Sequence, residues 1–374
     1  MDIIGAGIGG LTTAIALQQK GISTRIFEQT PQFKPVGAGI VLANNAMQVY
    51  KKLGLAEEIA ASGMRISTMH ISTPQLETFS QIDLSYFEHK YQVKNIAIHR
   101  ATLQEILLGH LKQEQIYLGY QLETITENED GYILAFKNGE KLLSNQLLGA
   151  DGIQSKVRNC LFTETTIRSS QQICWRGVTE FQLPERHQHI FTEAWGKGDR
   201  FGFVQIAPNQ VYWYAVKTME EDYTTYTTTE WPSLFKDYHP MAQELIAATP
   251  KETIHVAELE DLRPIKKWSK KGVCLLGDAA HATTPNMGQG ACQAIEDAYI
   301  LAECLEKMTY NKAFSEFQKI RMPKTKYVVD TSWQFGKMAH WQNSFAIGFR
   351  NQLLKMTPSI VNRMQIGKLF QLEM

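Results

Sequence analysis

The chain has 374 residues, of which 44% are hydrophobic and 20% are charged, and 38 Lys and Arg balance 38 Asp and Glu. This length exceeds a single typical core, so two domains are expected, and the balanced charge argues against a nucleic-acid partner. No apolar run approaches the roughly 18 residues of a spanning helix, so stable membrane insertion is not expected. The 5 cysteines lack metal-ligand spacing, which predicts reduced thiols, no metal site and a cytoplasmic protein.

Residues 2–28 predict a strand, a glycine-rich turn, a helix over 11–19 and a second strand. Three glycines of the turn fit the spacing G-x-G-x-x-G, and a fourth lies among them: Gly5, Gly7 and Gly10, with Gly9. This spacing permits a tight turn, close approach of the backbone to a pyrophosphate and close helix–strand packing. Glu28 ends the second strand about 20 residues on, where an acid binds an adenosine ribose hydroxyl. The segment therefore predicts a dinucleotide bound at the helix N-terminus.

Further along the chain the hydrophobic pattern alternates between helical and strand periods. Helices are predicted over 40–61 and 100–112, and mainly helical structure follows from 290 onwards. Strands are predicted within 66–91, as hairpins over 117–150 and as a buried parallel strand at 272–277. Residues 173–262 place four Trp among short alternating segments, which indicates a β-rich region with an aromatic interior.

Two more motifs occur at predicted strand ends. Residues 149–158 read Gly-Ala-Asp-Gly-Ile-Gln-Ser-Lys-Val-Arg, and residues 277–290 read Gly-Asp-Ala-Ala-His-Ala-Thr-Thr-Pro-Asn-Met-Gly-Gln-Gly. Either motif alone is compatible with an ordinary loop. Together with the N-terminal fingerprint, and in this order, they are specific. The chain resembles the class A FAD-dependent monooxygenases, the flavoprotein hydroxylases whose reference member acts on 4-hydroxybenzoate, over nearly its whole length.

The resemblance implies an α/β fold with an α+β second domain. A Rossmann-like FAD-binding domain would carry an inserted, mixed β-sheet substrate domain and be followed by C-terminal helices. On this sequence the discontinuous FAD-binding domain covers 1–65, 95–165 and 263–330. The β-rich substrate domain covers 66–94 and 166–262, and the C-terminal helical segment covers 331–374.

The same resemblance assigns residues of the last motif to FAD. Asp278 would hydrogen-bond the ribityl chain, and Pro285 would lie against the flavin ring. Gly288 and Gly290 open a helix whose N-terminus would point at the pyrimidine end of the ring, where it stabilises the negative charge of reduced flavin. His281 is expected to be structural.

Further FAD contacts come from other segments. Gly37 and Gly39 either face the other edge of the ring or belong to an ordinary loop. Arg100 matches an arginine that contacts FAD, with an exposed arginine at a helix start as the alternative. Asp151 and Arg158 resemble residues that serve FAD and the nicotinamide cofactor, although a turn-stabilising role is the alternative for Asp151.

In this family NAD(P)H reduces FAD, and the reduced flavin reacts with O2 to give a C4a-hydroperoxide that transfers one oxygen to the substrate. The resemblance therefore implies a monooxygenase that hydroxylates a small aromatic or polycyclic molecule; a monomer or homodimer is expected. Only one G-x-G-x-x-G is present, so the nicotinamide donor would visit the flavin without its own domain. Two alternatives stay open: a related flavin oxidoreductase of the same fold, and a flavoprotein that sequesters a small molecule without turnover.

Two neighbouring predicted strands, beginning at Arg200 and Val211, are the expected pocket walls. Alternation puts Phe201, Phe203 and Gln205 on one face of the first strand, and Tyr212 and Tyr214 on one face of the second. Arg200 and Tyr212 are the candidate substrate contacts, because they can polarise or deprotonate an acidic ring. Sheet packing with a surface arginine is the alternative.

The C-terminal segment 345–369 is apolar and basic. Such a segment either touches a membrane surface or, as the C-terminal helices of this family do, packs on the substrate domain and covers the pocket.

Overall fold

The computed structural model describes residues 1–33, 38–162, 165–220, 226 and 230–372. The strands are β1 Asp2–Ile4, β2 Arg25–Glu28, β3 Gly39–Leu42, β4 Met64–Ile66, β5 Thr68–Ser72, β6 Thr78–Asp83, β7 Asn95–His99, β8 Ile116–Leu118, β9 Leu122–Asn128, β10 Gly131–Phe136, β11 Lys141–Ser144, β12 Leu147–Gly149, β13 Ile167–Glu180, β14 Ile190–Trp195, β15 Asp199–Ala207, β16 Gln210–Thr218, β17 His255–Leu262, β18 Ser269–Lys270 and β19 Val273–Leu275. The helices are α1 Ile8–Gln19, α2 Asn44–Lys52, α3 Ala56–Ala61, α4 Ser85–Tyr91, α5 Arg100–Gly109, α6 Lys156–Leu161, α7 Pro240–Ala247, α8 Asp278–His281, α9 Gly290–Lys307, α10 Tyr310–Ala339, α11 Ser344–Met356 and α12 Ser359–Phe370.

A six-stranded sheet with the order β18-β19-β12-β1-β2-β8 contains both strands of the N-terminal motif. Its strands are parallel except β18, which runs antiparallel to β19. The central strands are short and buried along their whole length, as expected for strands covered on both faces. Because β1, β2, β12 and β19 are parallel, the loops that carry the three motifs leave the same edge of the sheet.

A second sheet of seven strands has the order β17-β13-β16-β15-β14-β5-β6. All its pairs are antiparallel except β14 with β5, so this sheet is mixed. All seven strands fall within 66–94 and 166–262, the segments expected for the substrate domain. Two small antiparallel sheets, β11-β10-β9 and β3-β7-β4, complete the strand structure of the described residues.

Two predicted helices differ from the observed ones. The expected helix over 40–61 is a strand, β3, followed by α2 and α3. The apolar residues of β3 pair with β7, and Gly54 at φ 77° separates the two helices. The first helix begins at Ile8 rather than Leu11, so that Gly9 and Gly10 belong to its first turn.

The C-terminal region is helical. Helix α10 is continuous for 30 residues, so the domain boundary expected between residues 330 and 331 falls inside it. The division into domains stays a prediction. In the part of the chain that the structure describes, no helix is long and apolar enough to cross a membrane.

Candidate active site

The glycine-rich turn is closed towards the sheet and open on its outer side. Gly5 has φ 104°, and a Cβ there would lie 2.4 Å from the carbonyl oxygen of Ala150. A Cβ on Gly10 would lie 2.1 Å from the carbonyl oxygen of Gly5, whereas a Cβ on Gly7 would meet nothing within 4 Å. Gly7 precedes α1 without a side-chain cap, so the first N–H groups of the helix face this open side. The turn can therefore receive an anion such as a pyrophosphate.

Glu28 lies beside this turn, at the end of β2. One carboxylate oxygen accepts a hydrogen bond from the backbone N–H of Ala6 at 2.8 Å, and the other accepts from that of Thr30 at 2.9 Å. These bonds fix the carboxylate next to the glycines and leave lone pairs for a hydroxyl donor. The ribose contact expected for Glu28 stays a prediction.

The motif that follows β19 reaches the same edge. The side chain of Asp278 reaches solvent, but the protein around it partly desolvates the carboxyl group. This desolvation raises the pKa of Asp278, although the charges of His281 and Arg100 oppose the rise. Gly290, the first residue of α9, lies close to it, since a Cβ there would be 3.9 Å from an Asp278 carboxylate oxygen. The structure therefore brings Asp278 and the start of α9 together, with the charge of Arg100 acting on Asp278.

The N-termini of α1 and α9 converge through small residues. A Cβ on Gly9 would lie 3.1 Å from the Cβ of Ala294 in α9, and so would a Cβ on Gly277. Pro285 and Gly288 lie exposed in the loop just before α9, and Gly288 adopts φ 62° with open space at its Cβ position. Two helix N-termini, each favourable to negative charge, thus border one cleft.

Asp151 and Arg158 hold the loop after β12. The carboxylate of Asp151 accepts hydrogen bonds from the Ser155 hydroxyl at 2.5 Å and from the N–H groups of Lys156 and Val157 at 2.6 and 3.0 Å. This is the turn-stabilising arrangement considered as the alternative for Asp151. The buried guanidinium of Arg158 donates to the carbonyls of Ala279 and Ile153, which ties the Asp151 loop to the Asp278 segment. Both residues support the cleft, and their direct contacts with cofactors stay predictions.

His281 belongs to a buried ionic network, as its expected structural role requires. Its Nε2 lies 2.6 Å from a carboxylate oxygen of Asp297, whose other oxygen accepts from Nε of Arg321 at 2.7 Å. Burial alone would raise the pKa of Asp297, but His281 and Arg321 hold it down at about 2. The same Asp297 oxygen that binds His281 accepts from the N–H of Gly277 at 2.8 Å. The network therefore fixes the loop after β19 relative to α9 and α10.

The two faces of the second sheet have different surroundings. Cross-strand pairing puts Phe201 and Phe203 beside Trp213 and Ala215, on the face that packs against Trp231 and α7. The face with the phenylalanines is therefore a core, and the expectation that it lines a pocket is wrong. Tyr212 and Tyr214 point to the opposite face, with Arg200.

This opposite face meets the small sheet β3-β7-β4. A Cβ on Gly39 would lie 2.5 Å from the Cβ and Cγ of Tyr212, so the loop of Gly39 lies against the Tyr212 ring. Gly37 lies outside the described residues. Burial raises the pKa of Tyr212, and the charges of Arg176 and Arg100 oppose the rise. Because Gly39 pairs with His99, the residue before α5, Tyr212 and Arg100 border the same cleft.

Arg200 is buried, which excludes the surface arginine considered from the sequence. Its guanidinium donates to a carboxylate oxygen of Glu193 at 3.1 Å and to the side-chain oxygen of Asn286. Asn286 follows Pro285 and also donates to Thr284 and to the carbonyl of Ser332 in α10. Arg200 therefore joins the second sheet to the loop that precedes α9.

Glu193 is the centre of a cluster that sequence reasoning missed. Its carboxylate accepts hydrogen bonds from Nε1 of Trp195 at 3.1 Å and from the hydroxyl of Tyr214 at 2.8 Å, in addition to Arg200. Burial and the neighbouring carboxylate raise the pKa of Tyr214 well above its ordinary value, so this hydroxyl stays protonated. The available signal was a single glutamate inside the apolar segment Phe-Thr-Glu-Ala-Trp, since a buried charge requires partners.

An open helix N-terminus, a second N-terminus beside it and an aromatic sheet face across the cleft are the features expected of a dinucleotide-binding flavoprotein. The family described as "FAD binding domain" matches residues 1–328. The chain belongs to this family, which confirms the recognised class of FAD-dependent monooxygenases, the α/β fold and FAD as the cofactor.

Several characterised proteins are similar over most of the chain. Aurachin C monooxygenase/isomerase of Stigmatella aurantiaca is 36% identical over 360 residues, which covers 96% of this chain and 94% of that protein. The 2-heptyl-3-hydroxy-4(1H)-quinolone synthase of Pseudomonas aeruginosa is 29% identical, with 98% and 97% covered. Among solved structures, Klebsiella pneumoniae HpxO complexed with FAD and uric acid superposes with a TM-score of 0.88 at 25% identity, covering 99% of this chain and 96% of that one.

Proposed function

We propose that this FAD-dependent monooxygenase uses NAD(P)H and O2 to hydroxylate a nitrogen-heteroaromatic ring of the quinolone class. The observation that carries the proposal is the cluster of Tyr214, Glu193 and Arg200 on an aromatic sheet face opposite the loops of the FAD motif. Two similar proteins, each matched over nearly its whole length, are named for aurachin C and for a 3-hydroxy-4-quinolone. The second name contains a 4(1H)-quinolone and its match covers 98% of this chain, against 80% for the urate hydroxylase match, so the quinolone ring class is preferred to urate.

The residues around the cleft fit FAD. The open side of Gly7 and the free N–H groups of α1 would hold the pyrophosphate, with Gly5, Gly9 and Gly10 shaping the turn and Glu28 bonding the ribose. Asp278 would bond the ribityl chain and Arg100 would contact FAD nearby. The segment from Pro285 through Gly288 to Gly290 would follow the flavin ring on one side, and Gly39 would follow it on the other. Asp151 and Arg158 would fix this arrangement from behind.

Bound FAD would supply the reductive activation of oxygen; the protein positions the ring that is hydroxylated and handles its proton. Tyr214 can accept a hydrogen bond from a substrate O–H or N–H while its own hydroxyl proton stays directed to Glu193. A proton leaving the substrate N–H or O–H would pass to the Tyr214 oxygen as the Tyr214 proton passes to Glu193, which makes the ring carbon β to the nitrogen, or ortho to the carbon that bears the oxygen, more electron-rich. Arg200 keeps the Glu193 carboxylate in place, and Tyr212 forms the adjoining wall.

The test is NADH and NADPH oxidation by the purified, FAD-loaded protein with 4-quinolones, uric acid and phenolic acids, together with oxygen uptake and product mass. A quinolone that accelerates oxidation and gains one oxygen atom is the expected result. Stimulation by uric acid or a phenolic acid alone would refute the quinolone class but keep the oxygenase. Tight binding of a compound without stimulated oxidation would instead favour the sequestering alternative.

The proposal also includes the location of the reaction and the number of subunits. The reaction would take place in the cytoplasm, where NAD(P)H is supplied and the 5 cysteines stay reduced. A monomer or homodimer would suffice, because every residue given a role above belongs to one chain.

A further inference from the structure

Helices α11 and α12 each expose large apolar side chains. The exposed fractions are 91% for Phe345, 67% for Phe349, 55% for Leu353, 69% for Met356, 59% for Ile360 and 58% for Met364. Within α11 the first four are three or four residues apart, and within α12 the last two are four apart, which is the spacing of one helix face. We call these six residues the C-terminal apolar stripe. Exposed apolar side chains are common singly, but a contiguous set of this kind marks a contact surface.

The stripe is not the result of poorly packed helices. The guanidinium of Arg350 is buried, donates to the carbonyls of Met338 and Ala339 at 3.1 and 2.9 Å and lies 4.9 Å from the ring centroid of Trp195. At the other end Phe370 packs edge-on against Phe87 of α4 at 5.0 Å. Both helices thus already have an inward face on the protein. The expected cover of the substrate sheet uses that inward face, and the stripe has no cover from the residues that the structure describes.

The charge of the C-terminal segment indicates which kind of surface the stripe contacts. Between Asp330 and Glu373 the sequence contains five Lys and Arg and no Asp or Glu, in a chain whose net charge is zero. Lys355 and Lys368 are exposed on α11 and α12, and Arg363 lies over the ring of Tyr86 at 5.1 Å. A second copy docked through the same stripe would bring Lys355, Arg363 and Lys368 of both copies close together, with no carboxylate on either helix to compensate them. An anionic surface is complementary.

We propose that α11 and α12 dock the enzyme peripherally on an anionic phospholipid bilayer. The stripe would enter the boundary between headgroups and acyl chains, and the flanking lysines would bind the lipid phosphates, as in interfacial amphipathic helices. The docked helix contacts the site: Arg350 lies over Trp195, which donates to Glu193. A substrate dissolved in the bilayer would therefore be released beside the cleft. The proposal goes beyond the proposed reaction and does not depend on it.

The experiment is co-sedimentation of the full-length, FAD-loaded protein with vesicles of phosphatidylglycerol and phosphatidylcholine, and with vesicles of phosphatidylcholine alone. We expect binding to the anionic vesicles that weakens as salt is added. Phe345→Ser with Phe349→Ser should weaken binding about tenfold or more, since two apolar side chains no longer leave water. Lys355→Gln and Lys368→Gln should each weaken binding to anionic vesicles by roughly fivefold.

Leu143→Ser is the matched control, because Leu143 is 49% exposed on β11, away from the stripe. It should bind vesicles like the unchanged protein, and retained FAD absorbance and circular dichroism should show that each variant is folded. The proposal is overturned if the unchanged protein does not sediment with anionic vesicles, or if the lysine and control variants bind equally well. Sedimentation velocity provides the other refutation: a dimer that Phe345→Ser with Phe349→Ser separates would make the stripe a contact between copies.

Discussion

Replacing Glu193 by Gln tests the cluster on the second sheet. The carboxylate of Glu193 and the guanidinium of Arg200 are 3.1 Å apart, and their side chains are only 8% and 2% exposed. Gln keeps the size and a hydrogen-bond acceptor but removes the charge, which leaves Arg200 buried without its counter-ion. Breaking a buried pair in this way costs about 3–5 kcal/mol. Because the Gln amide still accepts one bond, we expect a loss of about 3 kcal/mol in the free energy of unfolding.

The same change should impair turnover. Tyr214 loses the carboxylate to which its proton passes, and loss of a positioned proton acceptor typically lowers a rate by about a hundredfold or more. The matched variant is Glu193→Gln with Arg200→Gln, which removes both charges. Stability should return towards that of the unchanged protein in the double variant, because no buried charge is left unpaired, but turnover should stay low.

Urea unfolding of the FAD-loaded protein, followed by flavin fluorescence and circular dichroism, measures the stability. Substrate-dependent NAD(P)H oxidation measures the turnover. The reasoning is refuted if Glu193→Gln unfolds at the unchanged urea concentration, or if the double variant is less stable than Glu193→Gln alone. Unchanged turnover in a folded Glu193→Gln protein would remove the carboxylate from the proposed chemistry.

Three further predictions concern the cofactor cleft and its support. Glu28→Ala should weaken FAD retention by one to two orders of magnitude, as a charge-assisted hydrogen bond contributes ~1.5–3 kcal/mol; equilibrium dialysis measures it, and a fully yellow variant of unchanged affinity contradicts it. Gly7→Ala should fold but lose FAD, since its Cβ has space until a ligand is present. Gly10→Ala should fail to fold, because its Cβ would lie 2.1 Å from a carbonyl oxygen. Circular dichroism and flavin absorbance distinguish the two outcomes, and equal behaviour of the two variants would refute the prediction. The pKa of Asp297 is lowered from 3.8 to about 2, so its contribution to the free energy of unfolding, roughly 2 kcal/mol, is complete above pH 4 and is lost as the pH falls towards 2. In Asp297→Asn, the free energy of unfolding measured with urea should therefore depend less on pH between 4 and 2. An unchanged dependence on pH would contradict the assignment.

Much of the cofactor cleft was predictable because its residues are adjacent in sequence. The spacing of Gly5, Gly7 and Gly10 determines the turn directly, since a side chain at the first or third position would collide with the backbone. Asp278 could be placed because a parallel strand delivers the residue after it to one known edge of the sheet. Such a motif determines both the secondary structure and the direction in which the chain leaves the strand, so a short segment is sufficient to predict where its residues lie.

The helix expected over 40–61 shows where the local pattern fails. Apolar residues at 40–42 fit a helix face as well as they fit a strand, and only the pairing of β3 with β7, more than 50 residues away, selects the strand. Short apolar runs are ambiguous in this way because periodicity needs more residues to be resolved. The two faces of the second sheet were ambiguous for a related reason. Alternation predicts that Phe201 and Phe203 share one face of their strand and that Tyr212 and Tyr214 share one face of theirs, but not which face leads to the cleft.

The cluster of Glu193, Arg200 and Tyr214 depends wholly on register between strands. The three residues come from β14, β15 and β16, and they meet because Gly202 pairs both with Glu193 and with Tyr214. Gly202 also makes room, since a Cβ there would lie 2.4 Å from the Tyr214 hydroxyl oxygen. The sequence suggested that Arg200 would bind an acidic ring, but its charge is already engaged by Glu193. An anionic substrate would have to compete with a buried carboxylate for the same guanidinium, whereas an uncharged ring that donates an O–H or N–H to Tyr214 would not. The arrangement of this cluster therefore favours a neutral heteroaromatic substrate over an aromatic acid.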